Sequence, residues 1–105
     1  MNEVLYKLCQ HCISIMGSWI PYPSTLMAKS LNLSLYKVRK ELKSLKEQGL
    51  VVADRYCEVT DEGTILINGY TITEKAKQTE EYKKAYEEER KICLDVFGVD
   101  IGDPK

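Results

Sequence analysis

The residues from Ser24 to Val52, STLMAKSLNLSLYKVRKELKSLKEQGLVV, constrain the fold more than any other part of the chain. Leu31, Leu33, Val38, Leu42, Leu45 and Leu50 recur at helical spacing and therefore require one buried side. The pattern predicts a short helix from Ser24, a tight turn at Asn32, a second helix over about 34–48 and a strand opening at Leu50. Ser24 and Ser34 stand where N-caps belong, their hydroxyls available to the free amides of the first turn. Asn32 is the residue that best tolerates left-handed backbone after glycine, and Gly49 supplies the second stop. Met27, Ala28 and Leu31 face inward, and the small Ala28 lets another helix pass close by.

The other segments are expected to complete one core around this unit. A chain of 105 residues, 44% hydrophobic, has room for a single domain, read here as residues 1–97 with a loose tail over 98–105. Val4, Leu5, Leu8, Cys9, Cys12, Ile15 and Met16 share one side of a helix from Glu3 to Met16, stopped by Gly17. Trp19 and Ile20 are expected in a very short strand before Pro21 and Pro23. Leu50-Val51-Val52 and Ile65 to Thr73 read as strands, with a tip at Thr60-Asp61-Glu62-Gly63. Asn68-Gly69 is a competing hairpin signal that leaves the register open. Thr73 is expected to cap a last helix from Glu74 to about Phe97, about 24 residues and ~36 Å long, ended by Gly98. The class is α+β, mainly α, with a small sheet of two or three antiparallel strands.

The net charge of −1 would argue against nucleic acid if charge were spread evenly. It is segregated instead. Lys29, Lys37, Arg39, Lys40, Lys43 and Lys46 face Glu41 alone between Lys29 and Lys46. Asp54, Glu58, Asp61 and Glu62 face only Arg55 in the span that follows. No stretch has the ~20 apolar residues of a membrane span, and Glu3, Lys7, Gln10 and His11 interrupt the first twenty, so no signal peptide is expected. A cytoplasmic protein with its four cysteines as thiols is the expectation.

The order helix, short strand, helix, helix, strand, strand, helix resembles a winged helix-turn-helix domain. The resemblance is carried by Ala28, Leu31, Leu33, Ser34, Val38, Leu42, Leu45 and Gly49-Leu50-Val51, whose spacing is similar to that of MarR-, ArsR- and PadR-type bacterial regulators. Gly69-Tyr70-Thr71-Ile72-Thr73-Glu74-Lys75 resembles their passage from the last wing strand into the closing helix. The resemblance implies sequence-specific binding of double-stranded DNA by a transcriptional regulator, with the 34–48 helix in the major groove. By position, Ser34, Tyr36, Lys37, Arg39 and Lys40 would lie near the start of that helix, Lys43 would meet phosphate, and Arg55 is the one cation of the wing. The wing tip carries Asp61 and Glu62, which a phosphate backbone repels. Any small-molecule effector, whose identity is unknown, would be sensed between wing and closing helix.

Rival readings attach to particular residues. The acidic wing suits a winged domain that binds protein without DNA. Cys9-Gln10-His11-Cys12, with Cys57 and Cys93, is the material for a metal or thiol-redox sensor, but no second Cys pair or His cluster follows. Cys9 and Cys12 lie on an apolar helix face, where cysteine acts as a small hydrophobe. No metal or cofactor is therefore expected. Nor is an enzyme, because His11 stands alone and the chain has neither a glycine-rich phosphate loop nor a paired-carboxylate motif. Tyr82, Tyr86, Cys93 and Val96 follow a 3-4 spacing along the last helix and are the expected homodimer interface.

Overall fold

In the computed structural model, which describes residues 1–14 and 20–103, the chain is an α+β protein with a two-stranded antiparallel sheet. The elements in order are α1 (Glu3–Ile13), α2 (Ser24–Leu31), α3 (Leu35–Glu47), β1 (Val51–Thr60), β2 (Gly63–Ile72), a 3-10 turn (Glu74–Gln78), α4 (Glu80–Ile92) and a π-turn (Cys93–Phe97). Among the described residues no helix is long and apolar enough to cross a membrane.

The core assembles from the stripes the spacing predicts. Val4, Leu5, Leu8 and Cys9 of α1 meet Met27 and Ala28 of α2 and Val38, Leu42 and Leu45 of α3, all buried. Each fully buried Leu, Val or Met contributes about 1.5–3 kcal/mol, so this cluster is the main source of stability. Asn2 caps α1 by accepting the Val4 and Leu5 amides, both at 3.0 Å. The helix ends at Ile13, where Ser14 turns extended, and not at Met16 as expected; Ile15, Met16, Gly17 and Trp19 lie outside the described residues.

The turn between α2 and α3 follows its local chemistry. Asn32 is left-handed (φ 55°, ψ 43°), its amide donates to Lys29 O and the Leu33 amide to Ala28 O. Ser34 Oγ caps α3 by accepting from the Lys37 amide at 3.1 Å. Gly49 (φ 77°) closes α3 the same way, with Gly49 N–H on Lys46 O and Leu50 N–H on Leu45 O, both 3.0 Å. Ser24 departs from expectation. It is already helical, and Pro23 stands before it with no side-chain cap, its carbonyl taking the Leu26 and Met27 amides.

The strands are ten residues each and pair from Val51↔Ile72 to Thr60↔Gly63 around a two-residue turn at Asp61-Glu62, at the expected tip. The first opens at Val51 and not Leu50, and the second runs from Gly63 to Ile72 where Ile65 to Thr73 was expected. Asn68-Gly69 makes no turn. Gly69 is instead a point of close approach, because a Cβ there would stand 2.6–2.8 Å from Pro21 and Tyr22 backbone atoms. Tyr22 and Tyr70 exchange both backbone hydrogen bonds at 3.0 Å, a single bridge where a short strand was expected a little earlier. His11 holds that crossing segment from α1: its Nε2 is 2.6 Å from Ile20 O and its ring stacks on Tyr22 at 4.4 Å.

The closing segment is not one long helix. The Thr73 hydroxyl donates to Gly49 O at 2.6 Å and so caps nothing, leaving only a 3-10 turn before a break at Thr79. Thr79 is the true cap, its Oγ accepting from Tyr82 N at 3.2 Å. After the π-turn, Gly98 (φ 65°) reverses the chain. The following residues are not loose as read from the sequence: Arg90 holds Asp100 through two bonds of 2.7 and 3.1 Å and Asp103 through one of 2.5 Å, while Tyr86 OH donates to Ile101 O.

Candidate nucleic-acid interface

The outer side of α3 is set by what its inner side buries. With Val38, Leu42 and Leu45 in the core, Tyr36, Arg39, Lys40 and Lys43 fall at i, i+3, i+4 and i+7 on the opposite side and form one ridge over a shallow hollow. All four are exposed, Tyr36 at 76%. Among the described residues no carboxylate pairs with these cations; the ion pairs lie elsewhere, at Lys77–Glu74 and at Arg90 with Asp100 and Asp103. Glu41, the acid nearest in sequence, is turned to the flank, where it accepts from Asn2 Nδ2 at 3.2 Å. Lys37 stands on that same flank, lining a hollow with Glu41 and the start of α1. Ser34 sits at the foot of the ridge, its hydroxyl oxygen already used as the α3 cap.

A second surface joins the ridge to the hairpin root. An open groove of about 690 Å³ runs between the start of α2 (Ser24, Thr25), Arg39 of α3 and the strands at Arg55, Asn68 and Tyr70. Arg55 pairs across the strands with Asn68, and its Nε donates to Asn68 Oδ1 at 3.0 Å, which holds the guanidinium along this side of the sheet. Two arginines distant in sequence thus line one polar channel, and Asp54 lines it with them. Asn68, Ser24 and Thr25 were not anticipated there. Asn68-Gly69 had the stronger local reading of a turn, and only the glycine inside a strand pattern pointed to a close crossing.

The distal hairpin has the opposite character. From Tyr56 to Ile67 it carries Glu58, Asp61 and Glu62 and no Lys or Arg. Cross-strand pairing puts Cys57, Val59 and Leu66 on one side, with Val59 80% and Leu66 52% exposed, and Ile65, 46% exposed, on the other.

The residues expected to form a dimer seam are divided. Tyr82 is 7% and Cys93 2% exposed, both inside this chain, and Tyr86 is half-buried with its hydroxyl on the returning tail. Val96 alone of the four is open, in company with Leu94, Phe97 and Val99. Cys9, Cys12 and Cys93 have the environment of packing residues, while Cys57 is exposed on the hairpin. Burial pushes the Cys9 thiol up to about 12 and raises Cys12 and Cys93 as well, which disfavours the thiolate that redox chemistry or metal binding needs. Among the described residues no group of three or more His, Cys, Asp or Glu is placed to hold a metal ion.

Comparison with protein-family models, curated proteins and solved structures returns no match, so the functional reading rests on the geometry of these surfaces.

Proposed function

We propose that the chain is a winged helix-turn-helix regulator that binds double-stranded DNA, with α3 entering the major groove and the β1–β2 hairpin as its wing. The observation that carries this reading is the α3 ridge: Tyr36, Arg39, Lys40 and Lys43 exposed together, with no carboxylate paired to them among the described residues, beside a channel that Arg39 and Arg55 line together with Asp54. Guanidinium groups suit guanine edges and phosphates, and the lysines supply the sequence-independent attraction. On this reading the contacts fall in an order. Arg39 and Lys40 head the ridge, Lys43 follows one turn on, Arg55 reaches the channel from the wing root, and Lys37 approaches from the flank.

The test is duplex binding as a function of salt. Replacing Lys40 and Lys43 together with Ala is expected to weaken binding to any duplex and to reduce the slope of log affinity against log salt by ~2, about 0.9 per phosphate contact. An unchanged slope overturns the assignment. Dimerisation, which would place two such helices on a palindromic site, is supported now by the apolar turn at Leu94, Val96, Phe97 and Val99 more than by the α4 stripe.

A second reading, a winged module that binds protein, is favoured by the acid-only distal hairpin, because that part of the wing is repelled by phosphate. Retention on immobilised duplex at low salt separates the two.

A further inference from the structure

The distal hairpin is the least supported part of the fold. The rest of the chain meets the sheet at its root, through Val51, Gly69, Tyr70 and Ile72, whereas Tyr56 to Ile67 projects beyond that junction. There the two strands carry apolar side chains on both sides, with Val59 at 80% exposure, ringed by Glu58, Asp61 and Glu62 and no cation. Exposed apolar groups on a projecting two-stranded arm mark a contact surface, and the charge says what the arm avoids and what it seeks. It avoids phosphate. It seeks a cationic surface with apolar material within it.

One such surface is already described on this molecule. The ridge of α3 presents Arg39, Lys40 and Lys43 around the exposed ring of Tyr36, over a hollow whose walls are chiefly the apolar parts of those side chains. We propose that the hairpin tip of one copy docks on the α3 ridge of a second copy, Val59 and Leu66 packing against Tyr36 and the lysine stems while Asp61 and Glu62 face Lys40 and Lys43. A reciprocal exchange, each tip on the other's ridge, doubles the contact and closes under two-fold symmetry. The contact is independent of the DNA reading. Its consequence rests on that reading: the docked pair covers the DNA-contacting ridge, so this tip-to-ridge association, unlike pairing through the apolar turn at Leu94, Val96, Phe97 and Val99, and duplex binding exclude each other.

The experiment uses two full-length variants with reversed charge. In Asp61→Lys/Glu62→Lys both tip and ridge are basic; in Lys40→Glu/Lys43→Glu both are acidic. All four positions are exposed, so helix content by circular dichroism is expected to match the parent. Sedimentation velocity at low salt is expected to show each variant associating at least about tenfold more weakly than the parent, and an equimolar mixture recovering association because both contacts in the mixed pair are then of opposite sign. A mixture that associates no better than either variant alone overturns the proposal, as does a parent whose self-association is untouched by both reversals. A random-sequence duplex is expected to dissociate this contact in the parent. A parent that binds no duplex would remove the DNA reading while leaving the mixing result to stand.

Discussion

The α2–α3 unit and the closing segment from Thr73 to Asp103 are both helical, and both begin beside a hydroxyl residue well placed to cap. They resolve differently. Around α3 the capping bonds are local, Ser34 accepting the Lys37 and Val38 amides at the start and the Gly49 reversal returning the Gly49 and Leu50 amides to Lys46 O and Leu45 O at the end. In the closing segment Thr73 has a carbonyl 24 residues away within reach, Gly49 O at 2.6 Å, and its hydroxyl goes there. The helix then starts at Thr79, six residues late, after a 3-10 turn too short to sustain itself. A cap is a competition between local amides and whatever acceptors the fold brings near, and only the first competitor is visible in a sequence.

Perturbations can break or sharpen this contrast. The largest effect belongs to the self-contained unit: Leu42→Ala empties a fully buried site and is expected to cost about 2–5 kcal/mol in denaturant unfolding. A loss below 1 kcal/mol would mean that α3 is not the centre of the core. Next comes the crossing at the hairpin root. Gly69→Ala places a methyl 2.6–2.8 Å from Pro21 and Tyr22 backbone, which cannot yield as a side-chain end can, with an expected loss of about 1–3 kcal/mol. Slowed amide exchange at Tyr70 in that variant would contradict the prediction, since the Tyr22 bridge should open.

Thr79→Ala removes the α4 cap and is expected to cost about 1 kcal/mol, whereas Thr73→Val should leave α4 helicity unchanged while loosening the end of α3. If Thr73→Val instead frays α4 at Tyr82, the cap assignment is wrong. The smallest effect is at the tail. Arg90 holds the Asp100 carboxyl below the usual carboxylate range, so the clamp's contribution is complete above the ordinary Asp value of about 3.9 and fades as pH falls through the depressed value below it. Ile101 methyl signals should therefore be unchanged from pH 7 to pH 5 and shift only in stronger acid; a shift near pH 5 would count against the clamp.

What could be read in advance follows the same division. Asn32, Ser34 and Gly49 act through neighbours within one or two helical turns, and Val38, Leu42 and Leu45 declare a buried side by their mutual spacing although the residues they pack on are distant, so these roles were legible. The α3 ridge was legible for the same reason, since it is the complement of the buried stripe. The hairpin register was not. It depends on the Pro21–Tyr22 crossing over Gly69, a contact between residues almost fifty positions apart. The tail fold was hidden for the same reason, because Arg90 gives no local sign that it will hold Asp100 and Asp103. The channel between Arg39 and Arg55 likewise exists only once the hairpin has been laid beside α3.

The bonds at the base of the hairpin carry a further meaning. Thr73 Oγ on Gly49 O, Thr73 N on Leu50 O and Lys75 Nζ on Gln48 O tie the entry and exit of the strands to each other and to the end of α3. The hairpin is thereby an excursion from a closed point, and the ordering cost of a longer or shorter excursion grows only slowly with its length. Residues beyond the cinch can be added, removed or recharged while α3 keeps its seat. A change at the tip therefore alters what the tip can touch and leaves the packing that seats α3 as it was.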